Sequence, residues 1–226
     1  MSLNYLIFKN GIYDLTIDTF LHGTPSNVFI PYDYQPNYSP HLFAIHKFLS
    51  EIQPNDKERE DLLLSLASFL KPSKKSMFIW VGEGNGGKSS LYHLLCASLG
   101  HYIANFDETQ HIIPIPATLK DKKIVYMPHD SEREIQAEVM KQLCEDTNHF
   151  QTVFECNGKP KIDGADEKFN SICREIKFST KFIDNPTQLD ERQRDIEVKN
   201  KIDNWGPDFM LLLLEYYRKY KELITG

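Results

Sequence analysis

The stretch MFIWVGEGNGGKSSLYHLLCASL, Met77 to Leu99, decides the fold of this chain. Its first five residues are apolar, which is typical of a strand covered on both faces in a parallel sheet. Four glycines in the next six residues allow a tight loop whose backbone amides converge on an anion. Leucines at helical spacing then lead to Gly100, a residue type that commonly ends a helix. This order of strand, glycine loop and helix predicts an α/β domain with a phosphate site at the helix N-terminus.

The glycine loop matches the phosphate-binding motif G-x-x-x-x-G-K-[ST] at every fixed position. In this motif the loop amides hold the α- and β-phosphates, the lysine reaches the β- and γ-oxygens, and the hydroxyl helps to coordinate Mg²⁺. The alternative is a chance glycine-rich turn, but the strand before the loop and the helix after it favour a nucleotide site. The predicted nucleotide-binding residues are Gly82, Glu83, Gly84, Asn85, Gly86, Gly87, Lys88, Ser89 and Ser90.

Composition limits the class of protein. A chain of 226 residues suits one α/β domain of about 150 residues with a smaller module. The net charge of −6 argues against a monomer that coats DNA through a broad basic face. The cysteines form no C-x-x-C pair, which favours reduced thiols over a zinc site or disulfides. No apolar run approaches a membrane span and no secretory signal opens the sequence, so we expect a soluble intracellular protein without a membrane partner.

The first 74 residues predict a small module ahead of the nucleotide domain, which we assign to residues 75–226. Two β-prone runs meet at Asn10-Gly11, a dipeptide favoured in tight hairpins. Residues 16–39 are expected to be mostly irregular. Two amphipathic helices follow, with predicted caps at Ser39 and Asn55.

Polar residues follow two further predicted strands. The apolar run 124–127 leads to Asp130 and Glu132, and a carboxylate there can hold Mg²⁺ while its neighbour polarises the attacking water. Solvated helix-capping acids are the alternative. A strand over 150–156 ends at Asn157-Gly158, which spacing alone explains as a β-turn. A short strand near 175–178 and a last helix opening at Trp205 complete the prediction.

Three blocks together match a known pattern over nearly the whole chain. They are IFKNGIYDL at 7–15 with YDYQP at 32–36, the loop at 82–89, and FECNGKP at 154–160 followed by Arg174 and the segment 178–184. These blocks resemble the superfamily 3 helicase module of the primase-helicases of poxviruses and giant DNA viruses, with related proteins in phages and plasmids. The resemblance implies an AAA+-like P-loop domain behind a pre-helicase module.

The same resemblance implies roles for single residues. Lys88 and Ser89 would bind phosphates and Mg²⁺, and Asp130 with Glu132 would form the second motif. Asn157 would be the polar sensor of the γ-phosphate or of the attacking water. Arg174 would act as an arginine finger on the neighbouring subunit, which requires a ring.

The implied function is an ATP-dependent DNA helicase motor that works as a hexamer around single-stranded DNA. The family pattern allows a primase domain or primase partner, and a viral or phage protein of this kind would be located in the host cytoplasm. One departure is the interval of 26 residues between Asp130 and Asn157, where the family usually fits a further motif and a DNA-contacting hairpin. Two alternatives therefore stay open. One is a trimmed ATPase that acts as a structural or assembly module, and the other is a P-loop kinase or nucleotide-gated switch.

Overall fold

The computed structural model describes residues 4–37, 39–72, 76–106, 115–130, 133–144 and 149–225. The strands are β1 (Tyr5–Phe8), β2 (Gly11–Asp14), β3 (Thr19–His22), β4 (Met77–Gly82), β5 (Ile103–Asn105), β6 (Ile124–His129), β7 (Glu134–Gln136), β8 (Gln151–Asn157), β9 (Lys161–Asp163), β10 (Cys173–Lys177), β11 (Lys181–Ile183) and β12 (Glu191–Gln193). The helices are α1 (Leu42–Ile52), α2 (Asp56–Ser68), α3 (Lys88–Leu99), α4 (Ala137–Leu143), α5 (Glu167–Ile172) and α6 (Val198–Thr225).

A five-stranded parallel sheet in the order β10-β4-β8-β6-β5 forms the centre of the protein. The first four residues of β4 are all buried, because apolar clusters cover the sheet on both faces. Trp80 belongs to one cluster with α3 and α6, and Ile79 belongs to the other with α4. The predicted AAA+-like α/β class, with a small amino-terminal antiparallel sheet, is confirmed.

The contact between α3 and α6 depends on a glycine. A Cβ on Gly206 would lie 2.4 Å from the carbonyl oxygen of Ala97, so no larger residue fits without moving one helix. The Ser98 hydroxyl donates to the Gly206 carbonyl at 2.8 Å. The helix after the glycine loop is therefore held against α6 at short range.

Helix α6 begins at Val198, seven residues before the predicted start at Trp205, and contains Pro207 in its interior. A proline there removes one backbone hydrogen bond and usually kinks or ends a helix. Buried apolar residues continue at helical spacing on both sides of the proline, and this packing keeps the helix intact. They are Ile202, Trp205, Phe209 and Leu213.

The amino-terminal sheet has one more strand than predicted. Strand β3 lies within the segment expected to be irregular and pairs with β2 in antiparallel fashion. Phe20 on β3 packs against Tyr34 with ring centroids 4.7 Å apart and against Phe8 at 6.1 Å. These contacts join residues that are far apart in the sequence, so local turn patterns could not predict them.

Of the two helix caps predicted in this module, one is confirmed and one is wrong. Asn55 caps α2 as predicted, since its side chain accepts from the amides of Lys57 and Glu58 at 2.9 and 3.1 Å. The predicted cap of α1 at Ser39 is wrong, because the N-cap position is His41 and no side chain caps it. Instead, the His41 amide donates to the carboxylate of Asp208 on α6 at 2.6 Å.

One hydrophobic cluster joins the amino-terminal segment to the parallel sheet. It includes Phe8 and Ile52 from the first part and Trp80, Leu94 and Leu213 from the second. The proposed boundary between residues 74 and 75 lies outside the described residues, so the division into two domains stays a prediction.

The interval between Asp130 and Asn157 contains β7, α4 and the first six residues of β8 in its described part. Ile135 belongs to β7, which pairs with β9 in parallel. Within the described residues, no helix is both long and apolar enough to cross a membrane.

Lys123 is a fully buried lysine immediately before β6. Its Nζ donates to the Leu70 carbonyl at 2.5 Å and lies 5.2 Å from the centre of the Tyr102 ring. Burial, assisted by the positive charge of Lys71, lowers its pKa to about 7. Above about pH 7 the folded protein therefore favours the neutral amine, whereas the unfolded chain keeps the proton up to about pH 10.

This difference predicts how stability depends on pH. Above pH 7 the unfolded state binds a proton that the folded state releases, so the free energy of unfolding should rise by up to about 1.4 kcal/mol per pH unit from this residue. Lys123→Met should remove that slope, as measured by urea unfolding at pH 7, 8 and 9. Lys120→Met, on the surface, controls for the lost charge. If the free energy of unfolding of Lys123→Met changed with pH in the same way as that of the wild type, the prediction would be contradicted.

Candidate functional site

The carboxyl ends of three neighbouring strands bring predicted site residues together. Gly82 on β4 is paired with Asn157 on β8, and Cys156 is paired with His129 on β6, so Asp130 continues the same row. Adjacent strands lie about 4.8 Å apart, which places the backbones of Gly82 and Asp130 within about 10 Å. Asn157 and Asp130 are exposed at this edge. Glu132, the second acidic residue of the prediction, lies outside the described residues.

The loop between β4 and α3 leaves its donors available. Within the described part of the chain, no backbone carbonyl accepts from the amides of residues 83–87. Helix α3 begins at Lys88, directly after the loop, so the partial positive charge of its N-terminus faces the same space. The arrangement can bind an anion such as a phosphate.

The loop fits tightly against its surroundings at three glycines. A Cβ on Gly82 would lie 2.5 Å from the carbonyl oxygen of Phe178, and one on Gly86 would lie 3.2 Å from that of Thr180. Gly87 has a φ of +85°, and a Cβ there would lie 2.4 Å from Ile52. Gly84 has open space around it. Only three of the four loop glycines are therefore required by close packing.

Lys88 folds back over the start of the loop. Its Nζ donates to the Gly82 carbonyl at 2.9 Å, and the residue is 2% exposed. Burial lowers the pKa of Lys88, and the negative charge of Glu155 opposes that shift. The amine is thus held beside the loop amides and does not extend into solvent. Ser89 and Ser90 follow it in the first turn of α3.

The segment that follows β10 holds the loop from the other side. The Phe178 amide donates to the Val81 carbonyl at 2.7 Å, and the Phe182 amide donates to the Asn85 carbonyl at 2.9 Å. Lys181 on β11 forms an ion pair with Glu83 at 2.7 Å. The loop is therefore attached to β10 and β11 as well as to β4 and α3.

Glu155 is a site residue that sequence analysis missed. The Ser89 hydroxyl donates to its Oε1 at 2.8 Å, and the Tyr126 hydroxyl donates to its Oε2. Burial raises the pKa of Glu155, while the hydrogen bond from Ser89 and the positive charge of Lys88 lower it. The available signal was an acidic residue inside the apolar strand β8.

The oxygen donors at this edge fit Mg²⁺. Magnesium prefers hydroxyl, carboxylate and phosphate oxygens, and it is commonly held by one or two carboxylates together with substrate phosphates. Ser89 supplies a hydroxyl beside the loop, and Asp130 supplies a carboxylate in the same row as Gly82. The donor set is therefore chemically suited to a magnesium ion.

Arg174 lies apart from this edge. It is an exposed residue of the edge strand β10. Arg174 pairs with Phe78, whereas Lys177 pairs with Val81, nearer the carboxyl end of β4. Four residues of strand separate Arg174 from the level of Gly82, which corresponds to about 13 Å. The structure does not bring Arg174 to the loop of its own chain.

Several viral proteins are similar in sequence to this chain. A protein of Acanthamoeba polyphaga mimivirus named "Putative helicase L207/L206" is 29% identical over 97% of this chain and 27% of its own length. Two further relatives are also named putative helicases. Protein 184R of Invertebrate iridescent virus 6 is 24% identical over 84% of this chain and 24% of its own length. Protein V13 of the Sputnik virophage is 23% identical over 98% of this chain and 33% of its own length. This chain thus spans about a quarter to a third of their length.

The fold is also found in a solved structure. The A-form apo structure of the NrS-1 C-terminal region aligns with 98% of this chain and 72% of its own, with a TM-score of 0.60 and 14% identity. That likeness concerns the fold alone. No protein-family model matches the chain. The chain is therefore similar to viral proteins with a helicase name and shares its fold with the NrS-1 region.

The glycine contacts predict an asymmetry between two alanine substitutions. Gly87→Ala should lower the free energy of unfolding by about 1–3 kcal/mol, because alanine resists the left-handed backbone and meets Ile52. Gly84→Ala should change it little, since a Cβ there meets nothing within 4 Å. Urea unfolding of both variants measures the difference. Equal losses would show that packing does not fix the loop.

Proposed function

We propose that this chain is the ATPase motor of a viral or phage-type primase-helicase of superfamily 3, which hydrolyses Mg·ATP to translocate on DNA during replication. The observation that carries the proposal is the set of loop amides at the N-terminus of α3 that have no backbone acceptor among the described residues, with the amine of Lys88 beside them. The helicase names of the viral relatives support the choice among nucleotide-dependent activities.

Binding would use the loop as a cradle for phosphates. The amides of residues 83–89 would hold the α- and β-phosphates, and Lys88 would exchange its bond to the Gly82 carbonyl for the β- and γ-oxygens. Ser89 and Asp130 would hold Mg²⁺, which supplies neutralisation of the charge that develops on the phosphate oxygens. Glu83, Asn85 and Ser90 would complete the lining.

Hydrolysis would depend on position and charge. A water oxygen attacks the γ-phosphorus, and the bond to the β,γ-bridging oxygen breaks, giving ADP and inorganic phosphate. Asn157, level with Gly82, would orient that water or the γ-phosphate. Glu132 would polarise the water as the second motif. Holding the reacting groups in line supplies much of the rate enhancement.

Arg174 would serve the site of a neighbouring subunit. Its exposed position on the outer strand β10 suits a contact between subunits and does not suit its own loop. A ring, proposed as a hexamer around single-stranded DNA, would place this arginine at the partner's γ-phosphate. A primase domain or partner belongs to the proposal through the family resemblance alone.

The decisive experiment measures ATP hydrolysis with and without single-stranded DNA. We expect hydrolysis that increases when DNA is added. A rate of hydrolysis that DNA does not change would favour the structural or assembly ATPase. Phosphate transfer to a small acceptor would favour the kinase. Solution molar mass with an ATP analogue and DNA tests the ring.

Lys88→Ala should lower the rate of ATP hydrolysis by at least about 100-fold, because the variant loses the charge that stabilises the transferred phosphoryl group. Lys120→Ala removes an exposed lysine as the matched control and should leave turnover unchanged. Phosphate release measures the rate, and thermal unfolding checks that each variant is folded. Near-normal turnover of folded Lys88→Ala would refute the nucleotide site.

Arg174→Ala should keep ATP binding and lower turnover in the assembled state by about 1,000-fold or more, the range of other arginine fingers. Lys177→Ala, on the same strand, serves as the control. Mixing Arg174→Ala with Lys88→Ala subunits should restore part of the activity, because some interfaces then combine an intact loop with an intact arginine. No recovery in mixed oligomers, or an unchanged rate in Arg174→Ala alone, would reject the role.

A further inference from the structure

Glu155 occupies a position that the proposed roles above do not use. It lies on β8 opposite Trp80 of β4 on one side and Pro128 of β6 on the other, two residues before Asn157. Side chains alternate along a strand, so Glu155 and Asn157 share one face of the sheet. The Ser89 contact shows that this is the face covered by α3.

Neighbouring side chains on α3 and β6 fix the Glu155 carboxylate from two directions. Ser89 donates to one oxygen and Tyr126 to the other. The Tyr126 ring is stacked on Tyr92 with centroids 3.7 Å apart and an interplanar angle of 11°. Since Ser89 and Tyr92 are three residues apart on one helix face, α3 positions both donors together.

The Ser89 hydroxyl has a single proton, and that proton is directed to Glu155. Its two lone pairs therefore remain for a cation. Carboxylates behind a metal ligand orient that ligand and strengthen it as a donor, and their loss typically weakens metal affinity by about 10- to 100-fold. Glu155 is on β8, which is directly beside β4, the strand that leads into the glycine loop. Asp130 follows β6, which β8 separates from β4.

We propose that Glu155 is the positioning carboxylate of the magnesium site, which holds the Ser89 hydroxyl so that its oxygen faces the metal carried by the nucleotide. This inference rests on the nucleotide-binding part of the proposed function. It is independent of DNA, of the ring and of the rate of hydrolysis. The acid that supports the loop serine thus comes from the strand of Asn157 and not from the strand of Asp130.

The test is a binding titration without turnover. A fluorescent non-hydrolysable ATP analogue is bound to each variant in EDTA and then at increasing MgCl₂. Glu155→Gln should keep the affinity measured in EDTA and raise the magnesium concentration for half-maximal enhancement by about 10- to 100-fold. Glu175→Gln, the same change on β10 at the other side of β4, should leave the magnesium curve unchanged.

A second variant covers a folding defect in Glu155→Gln. Glu155→Asp keeps the charge but shortens the side chain, so its carboxylate should no longer reach Ser89 and the magnesium curve should shift in the same direction. In a Ser89→Ala background, Glu155→Gln should cause no further shift, because the two residues act through one contact.

The outcomes separate the two proposals. A magnesium curve of folded Glu155→Gln or Glu155→Asp that matches wild type overturns the role of Glu155 and leaves the motor proposal standing. A shifted magnesium curve, together with a rate of hydrolysis that DNA does not change, supports the role of Glu155 and rejects the helicase motor. A wild-type protein that binds no analogue at any magnesium concentration overturns both.

Discussion

Contact between the glycine loop and residues 178–182 controls the geometry of the candidate site. The Phe178 carbonyl oxygen lies 2.5 Å from where a Cβ of Gly82 would be. The amides of Phe178 and Phe182 donate to the carbonyl of Val81, just before the loop, and to that of Asn85, within it. These bonds use carbonyls, and within the described residues no backbone carbonyl accepts from the amides of residues 83–87. An anion site made of backbone donors requires such available amides, because amides paired within the protein could not bind a phosphate. The remaining elements keep the two segments in contact.

The amino-terminal module supports the same contact from outside. Gln53 donates to the Lys177 carbonyl at 2.5 Å, and the Thr180 hydroxyl donates to the Glu51 carbonyl at 2.8 Å. Both partners lie at the end of α1, where Ile52 also contacts the position of Gly87. The module therefore contacts the loop and the segment around residues 177–180 through three adjacent residues at the end of α1. Because its own position depends on long-range contacts such as that of His41 with Asp208, the module and the parallel sheet share one core.

The candidate site contains a lysine and a glutamate whose opposite charges interact. Lys88 is buried and Glu155 is half-buried, and the charge of each moderates the effect of burial on the pKa of the other. A buried charge without a partner would cost several kcal/mol, so the negative charge of Glu155 makes the buried lysine compatible with a packed domain. Two hydrogen bonds fix these groups further, since the Ser89 hydroxyl donates to Glu155 and the Lys88 amine donates to the Gly82 carbonyl.

Local patterns in the sequence determined β4, the glycine loop, α3 ending at Gly100, and the Asn55 cap, since each depends on residues close along the chain. Sequence order also placed Asp130 and Asn157 after strands, and the parallel sheet brought both to one edge. Only the tertiary structure decided that β8 lies between β4 and β6, that Glu155 meets Ser89, and that Arg174 is distant from its own loop. The continuation of α6 through Pro207 and the pairing of β3 were likewise decided by distant packing. Strand order and register bring together residues far apart in the chain, and no local spacing specifies them.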